Sequence, residues 1–173
     1  MQKMFKSIVL FLGVLVFRLI PVRPPNVEPL LSVLMPFSKK VNLLASSAFL
    51  IFSIFVYDFF TAGIGSYTYS VAVVYMVIAI FAHKVFANRK GTIKEYAVFS
   101  VFSILFFDIV TGLIIGPIAL SQSFYVALMG QIPFTLLHLM GGVLFSIVLS
   151  PLVNKFLESD LVFFEESVAI GLK

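Results

Sequence analysis

The chain has 173 residues, 61% of them hydrophobic and 12% charged, with a mean hydropathy of +1.12 and a formal net charge of +4. A soluble domain carries roughly a quarter charged residues and about half apolar ones, so composition excludes an ordinary soluble protein. The lack of cysteine excludes a disulfide framework, thiolate catalysis and cysteine metal sites. The basic residues stand at the ends of apolar runs rather than in one stripe, which points to membrane orientation and not to nucleic acid.

The apolar runs approach the ~20 residues that a bilayer-spanning helix needs. They are continuous rather than alternating, so the expected structure is all-α, a polytopic helical protein in the lipid bilayer. The first run, Ser7 to Ile20, follows Lys3 and Lys6. A signal peptide competes for that start. Arg18 interrupts the run, no small-residue cleavage pattern follows, and further spans come after it, so it reads as a first transmembrane helix.

Pro21, Pro24 and Pro25 then stiffen a loop that reaches Asn26. Glu28 to Phe37 is apolar but short, carries Pro36 and ends at Lys39 and Lys40, so it is a short second span or a re-entrant piece. A third span covers about Val41 to Thr61, and the uncharged loop 62–66 leads to a fourth at about Tyr67 to Ala87. A basic connection holding His83, Lys84, Arg89, Lys90 and Lys94 precedes the fifth span, about Tyr96 to Leu113. The uncharged loop 116–123 opens a sixth region that reaches Leu149, with a break expected near Gly130 and Pro133. Residues 1–157 are thus expected to form a six-helix transmembrane bundle, and 158–173 a C-terminal cytoplasmic tail.

Lys and Arg fill the connections at 39–40 and 83–95 and are missing from those at 62–66 and 116–123. The positive-inside rule therefore puts the first two connections in the cytoplasm. With six spans both termini of this multi-pass cell-membrane protein are cytoplasmic, and Arg18 and Arg23 are the basic residues left outside. If 28–37 is re-entrant, Lys3 and Lys6 move outside while Arg18 and Arg23 move inside. The tally is the same, so charge alone leaves the N-terminus open.

Phe52-Ser53-Ile54, Asp58 and Thr61 recur as Phe102-Ser103-Ile104, Asp108 and Thr111, at a constant offset of 50 residues. Two spans separate the copies, so both run in the same direction, a parallel helix-pair repeat of the kind found in transporters. Asp and Thr three apart share a helix face. An aspartate at bilayer depth costs about 2.5–3.5 kcal/mol on insertion scales and normally faces a cavity or a partner. Asp58 and Asp108 either tie neighbouring helix ends together or line a binding site.

Asn26, Glu28, Gln122, Gln131 and His138 join the two Asp-Thr pairs in the outer half, with Arg18 and Arg23 nearby. His138 serves as a hydrogen-bonded bundle residue or as a ligand contact, and Gln131 as a contact or a cap before Pro133. The candidate substrate-binding set is Asn26, Glu28, Asp58, Thr61, Asp108, Thr111, Gln131 and His138. An outer-half cavity walled by Asp58, Asp108, Gln131 and His138 is expected under the Arg23–Glu28 loop. There is no P-loop, no metal or haem motif and no Gly-x-Ser-x-Gly frame. No cofactor and no enzymatic activity are expected.

Pro25-Asn26-Val27-Glu28-Pro29, the Asp-x-x-Thr turn ending the third span, and Gly130-Gln131-Ile132-Pro133-Phe134-Thr135 leading into His138 carry a family resemblance. Over most of residues 5–155 the chain resembles the substrate-binding S components of energy-coupling-factor (ECF) transporters. The resemblance implies six helices with both termini inside. It also implies uptake of a vitamin or related nutrient through an outer pocket, and partnership with a coupling membrane subunit and cytoplasmic ATPases. Where that family carries a small-residue docking pattern on its first helix, this chain has Ser7 and Gly13. The alternative is a non-transporting scaffold resembling rod-shape-determining membrane proteins of the MreD type, with its polar groups mutually paired and no cavity.

Overall fold

A computed structural model describes residues 2–22 and 27–159, and every regular element within them is helical. In chain order these are α1 (Gln2–Leu19), α2 (Leu30–Lys40), α3 (Leu43–Phe60), α4 (Ser66–Phe86) and α5 (Ile93–Asp108). The last of these runs on through a wider, π-helical stretch at Ile109–Ile115 into the single-turn α6 (Gly116–Ala119), and α7 (Phe124–Glu158) follows. Four helices are long and apolar enough to cross a membrane: Leu43–Phe60, Ser66–Phe86, Ile93–Ala119 and Phe124–Glu158. Helix α1 holds Lys3, Lys6 and Arg18 within its 18 residues. Helix α2 has 11 residues, a rise of about 16 Å against a hydrocarbon core of ~30 Å.

Local chemistry sets the helix ends. Asn42 caps α3 by accepting from the Ala45 amide at 2.8 Å. Thr92 and Glu95 form a reciprocal capping box at the start of α5, with bonds of 2.8 and 3.3 Å. Gly63, at φ +82°, reverses the chain after α3 and donates its amide to the Asp58 carbonyl at 2.7 Å. The break expected near Gly130 and Pro133 is absent, because α7 is continuous and holds both Pro133 and Pro151. In a membrane helix neighbouring helices and hydroxyl side chains re-satisfy the groups a proline frees.

Helix α2 is the centre of the packing, with Leu30 to Ser38 wholly buried. It packs most extensively on α7 and α4, while α5 packs on α7 and α3 on α4. Small hydroxyl residues let the backbones approach. Ser32, Ser46, Ser53, Ser146 and Ser150 are all buried, and the Ser150 hydroxyl donates across the helix pair to the Ser32 carbonyl at 2.8 Å. The outward faces carry Phe52 (60% exposed), Phe102 (70%) and Met140 (71%), the pattern of a surface whose solvent is lipid.

One end of the bundle is basic. Lys6 donates to the carbonyls of Leu157 and Ser159, Lys39 and Lys40 pair with Glu158 at 3.3 and 3.0 Å, and Lys39 donates to the Lys90 carbonyl at 2.9 Å. The start of α1, the ends of α2 and α7 and the α4–α5 connection therefore share that end. Glu158 still belongs to α7, and residues 160–173 of the expected tail lie outside the described residues.

The residues matched at the 50-residue offset agree in exposure over their first half. Phe52 and Phe102 are exposed, whereas Ser53, Ser103, Ile54 and Ile104 are buried. They diverge afterwards: Asp108 and Thr111 are buried, while Asp58 is half-buried and Thr61 exposed. Helix α3 stops at Phe60, whereas the helical path of α5 continues to Ala119 and covers its own copy.

Gly141 lets the chain at Val27 lie directly on α7, where a Cβ would stand 3.0 Å from the Val27 Cα. Gly141→Val should therefore lower stability by about 1–3 kcal/mol through overpacking, measured by thermal or SDS unfolding of the solubilised protein. Gly130 has open space around it, and Gly130→Ala should leave the same transition unchanged or slightly raised.

Candidate functional site

The expected polar residues gather away from the basic end. Arg18 lies about 18 Å of helical rise along α1 from Lys6, deep enough to need partners. Its Nε stands 2.9 Å from Glu28 Oε2. Its Nη1 donates to the Ser53 carbonyl of α3 at 3.2 Å, and the guanidinium lies over the Tyr57 ring, 4.3 Å from the centroid. Glu28 accepts in turn from the Tyr75 hydroxyl of α4 at 2.8 Å. The group thus joins α1, the segment before α2, α3 and α4.

A second cluster sits between α5 and α7. His138 Nδ1 is 2.8 Å from Asp108 Oδ1, with the two residues 4% and 1% exposed. A carboxylate only accepts, so Nδ1 carries the proton and the other ring nitrogen is left to face away from the aspartate. Phe107 and Phe134 meet the imidazole edge-on, at centroid distances of 5.9 and 6.1 Å. Asp108 Oδ2 is buried and has no hydrogen-bond partner among the described residues.

Between the clusters lies a cavity of about 250 Å³, walled by the polar side chains of Arg18, Glu28, Tyr57, Asp58, Tyr67, Tyr75 and His138, with Ile54, Val71, Phe107 and Phe134 as its apolar part. Asp58 differs from the other acids. Its backbone carbonyl accepts from Thr61 and Gly63 at 3.1 and 2.7 Å, but its carboxylate makes no hydrogen bond or ion pair among the described residues. No group of three acidic or histidine side chains among them is placed to hold a metal ion.

The single cavity expected from the sequence divides in two. Glu28, Asp58 and His138 line the polar cavity, while Asp108 stands behind the imidazole and opens on another groove. That groove, about 270 Å³, runs between the α5 path and α7 and holds Asp108, Gln131 and Thr135 among leucines and isoleucines. Gln131 donates to Thr135 at 3.1 Å and lies against Gly112, where any Cβ would collide with its amide. The π-helical stretch after Asp108 widens the turn on which Gly112 sits, and such stretches recur at functional sites.

The two threonines part company. Each donates to the carbonyl four residues back, Thr61 to Tyr57 at 2.8 Å and Thr111 to Phe107 at 2.7 Å. Thr111 is buried beside the Tyr67 hydroxyl, whereas Thr61 is exposed beyond the end of α3. Asn26 and the 23–26 part of the expected lid lie outside the described residues.

Sequence reasoning left out Tyr57, Tyr67 and Tyr75 and treated Arg18 only as a neighbour. A signal was present for Arg18: a guanidinium inside an apolar run needs a counter-charge, and Glu28 is the next acid in the chain. Tyr67 and Tyr75 lie two turns apart on one face of α4, a spacing that hydrophobic residues fill equally well. Compared with known proteins, the chain matches no family model, no curated protein and no solved structure.

Removing Arg18 takes a buried counter-charge from Glu28, which keeps the Tyr75 hydroxyl. Arg18→Ala should destabilise the solubilised protein by about 3–5 kcal/mol, the usual result of breaking a buried pair from one side. The double replacement Arg18→Met with Glu28→Leu should recover most of that loss in the same unfolding measurement.

Proposed function

We propose that this membrane protein is the substrate-binding component of an uptake system for a small polar solute, such as a vitamin or related nutrient. Energy would come in trans from a coupling membrane subunit and cytoplasmic ATPases, in keeping with the resemblance to ECF S components and with a sequence that has no P-loop. The observation that carries the binding role is the cavity itself. Ionisable and aromatic groups converge on about 250 Å³ of space, and one of them, the Asp58 carboxylate, is left without a partner among the described residues. Ligand sites are concave, with a few convergent polar groups among apolar walls. Intramembrane acids held without partners are costly enough to imply a use.

The scaffold alternative has its own support. Asp108 pairs with His138 and Arg18 with Glu28, the mutual satisfaction that a purely structural bundle requires. Native mass spectrometry of gently extracted protein separates the two functions. A small molecule retained by the protein is expected, and its consistent absence across extraction conditions would favour the scaffold.

In the proposed orientation the six helical passes leave both termini in the cytoplasm of a multi-pass cell-membrane protein, with the basic end inside. The absence of native cysteine makes this directly measurable. In intact cells an impermeant thiol reagent should label Ile64→Cys and Ile118→Cys, both at exposed positions, but not Asn88→Cys. External labelling of Asn88→Cys would reverse the orientation.

A further inference from the structure

We propose that the solute is an organic cation, a protonated amine or equivalent on an aromatic or apolar body, with Asp58 as its counter-ion. The inference rests on the solute-binding function and narrows it. Among the described residues that wall the cavity, Arg18 offers one positive charge and Glu28 and Asp58 two negative ones. Arg18 and Glu28 hold each other at 2.9 Å, which leaves Asp58 as the uncompensated charge. A neutral His138 keeps the Asp108 charge behind it, and a protonated one only cancels that charge, so the local field is negative in either state.

Hydrogen-bonding capacity has the same bias. Arg18 is ion-paired with Glu28 and donates from Nη1 to the Ser53 carbonyl, and the Tyr75 hydroxyl donates to Glu28. What remains open is mostly acceptor capacity, on the Asp58 carboxylate and, in the neutral ring, on His138 Nε2, beside the Tyr67 hydroxyl next to Thr111. An anionic solute would meet a positive charge already paired with Glu28, and the Asp58 carboxylate would repel it. The walls also hold the rings of Tyr67 and Phe134, a class of side chain that binds cations rather than anions through its π-face, and low-dielectric surroundings strengthen charge preferences. A lone carboxylate among rings suits an organic cation better than a metal ion, which asks for several oxygen ligands. The described residues hold no such ligand group.

The test uses the whole protein in nanodiscs with three probes of one shape: tryptamine as the cation, indole-3-ethanol as the neutral form and indole-3-acetate as the anion. Alongside, the solute that co-purifies with the unmodified protein is identified by native mass spectrometry. Tryptamine is expected to raise the unfolding temperature most, and indole-3-acetate not at all. Asp58→Asn should weaken tryptamine binding by about ten- to a hundredfold, the loss of one charge-assisted contact, while Asp58→Glu restores part of it. A co-purified cation supports the proposal even if tryptamine fits poorly. A co-purified anion or neutral molecule, or equal binding of the three probes, overturns the cation assignment and leaves solute binding standing. If no solute co-purifies and no probe binds, solute binding falls, and this inference with it.

Discussion

Three separate parts of the chain meet at one guanidinium, and a fourth joins them through Glu28. An arginine well inside a membrane bundle cannot be left to lipid, so everything around Arg18 is arranged to hold it: the Glu28 carboxylate, the Ser53 carbonyl and the Tyr57 ring. Meeting that demand fixes the chain entering α2 against α1 and draws α3 and, through Tyr75, α4 to the same point. The polar cavity is the space left when bulky ring and guanidinium groups converge there without filling it. Its position follows from an electrostatic requirement rather than from the hydrophobic pattern.

The second polar cluster solves a different problem. Asp108 is too buried to be hydrated, and a single contact with His138 satisfies one of its oxygens. The imidazole is a partition, with its carboxylate partner on one side and the cavity on the other. Behind it the π-helical stretch sends the chain on to Ala119, which keeps Thr111 covered and brings Gly112 under Gln131. Asp58 and Asp108 thus share a motif but not an environment, because one helix ends after its aspartate and the other does not.

Away from these clusters the bundle depends on close backbone approach. Apolar contact between helices gains little over contact with lipid, so specificity comes from serines and glycines that admit a neighbouring chain. Ser150 reaching Ser32, and Gly141 seated against Val27, are the clearest cases. The central, wholly buried α2 is possible because its neighbours supply such small positions. Its shortness brings its entry, next to Glu28, and the basic end to about 16 Å of each other.

The amino-acid sequence by itself determined the class of the protein. Long continuous apolar runs admit only helices in lipid, and the ends of α3 and α4 were legible to within two residues. Helix α7, by contrast, runs on past the expected break at Pro133 and the expected end at Leu149 to Glu158, because neighbouring helices support it there. The grouping of the basic connections at one end was also legible, because charge resists burial wherever the chain goes. What only the tertiary structure decided was pairing. Period and composition place Asp58 and Asp108 on equivalent faces, but which one finds a histidine depends on the approach of α7, whose His138 lies 30 residues beyond Asp108. Arg18 and the three tyrosines entered the site for the same reason. A polar group in a bundle is defined by its neighbours from other helices, and helix-to-helix contact leaves almost no trace in the spacing of residues along a single helix.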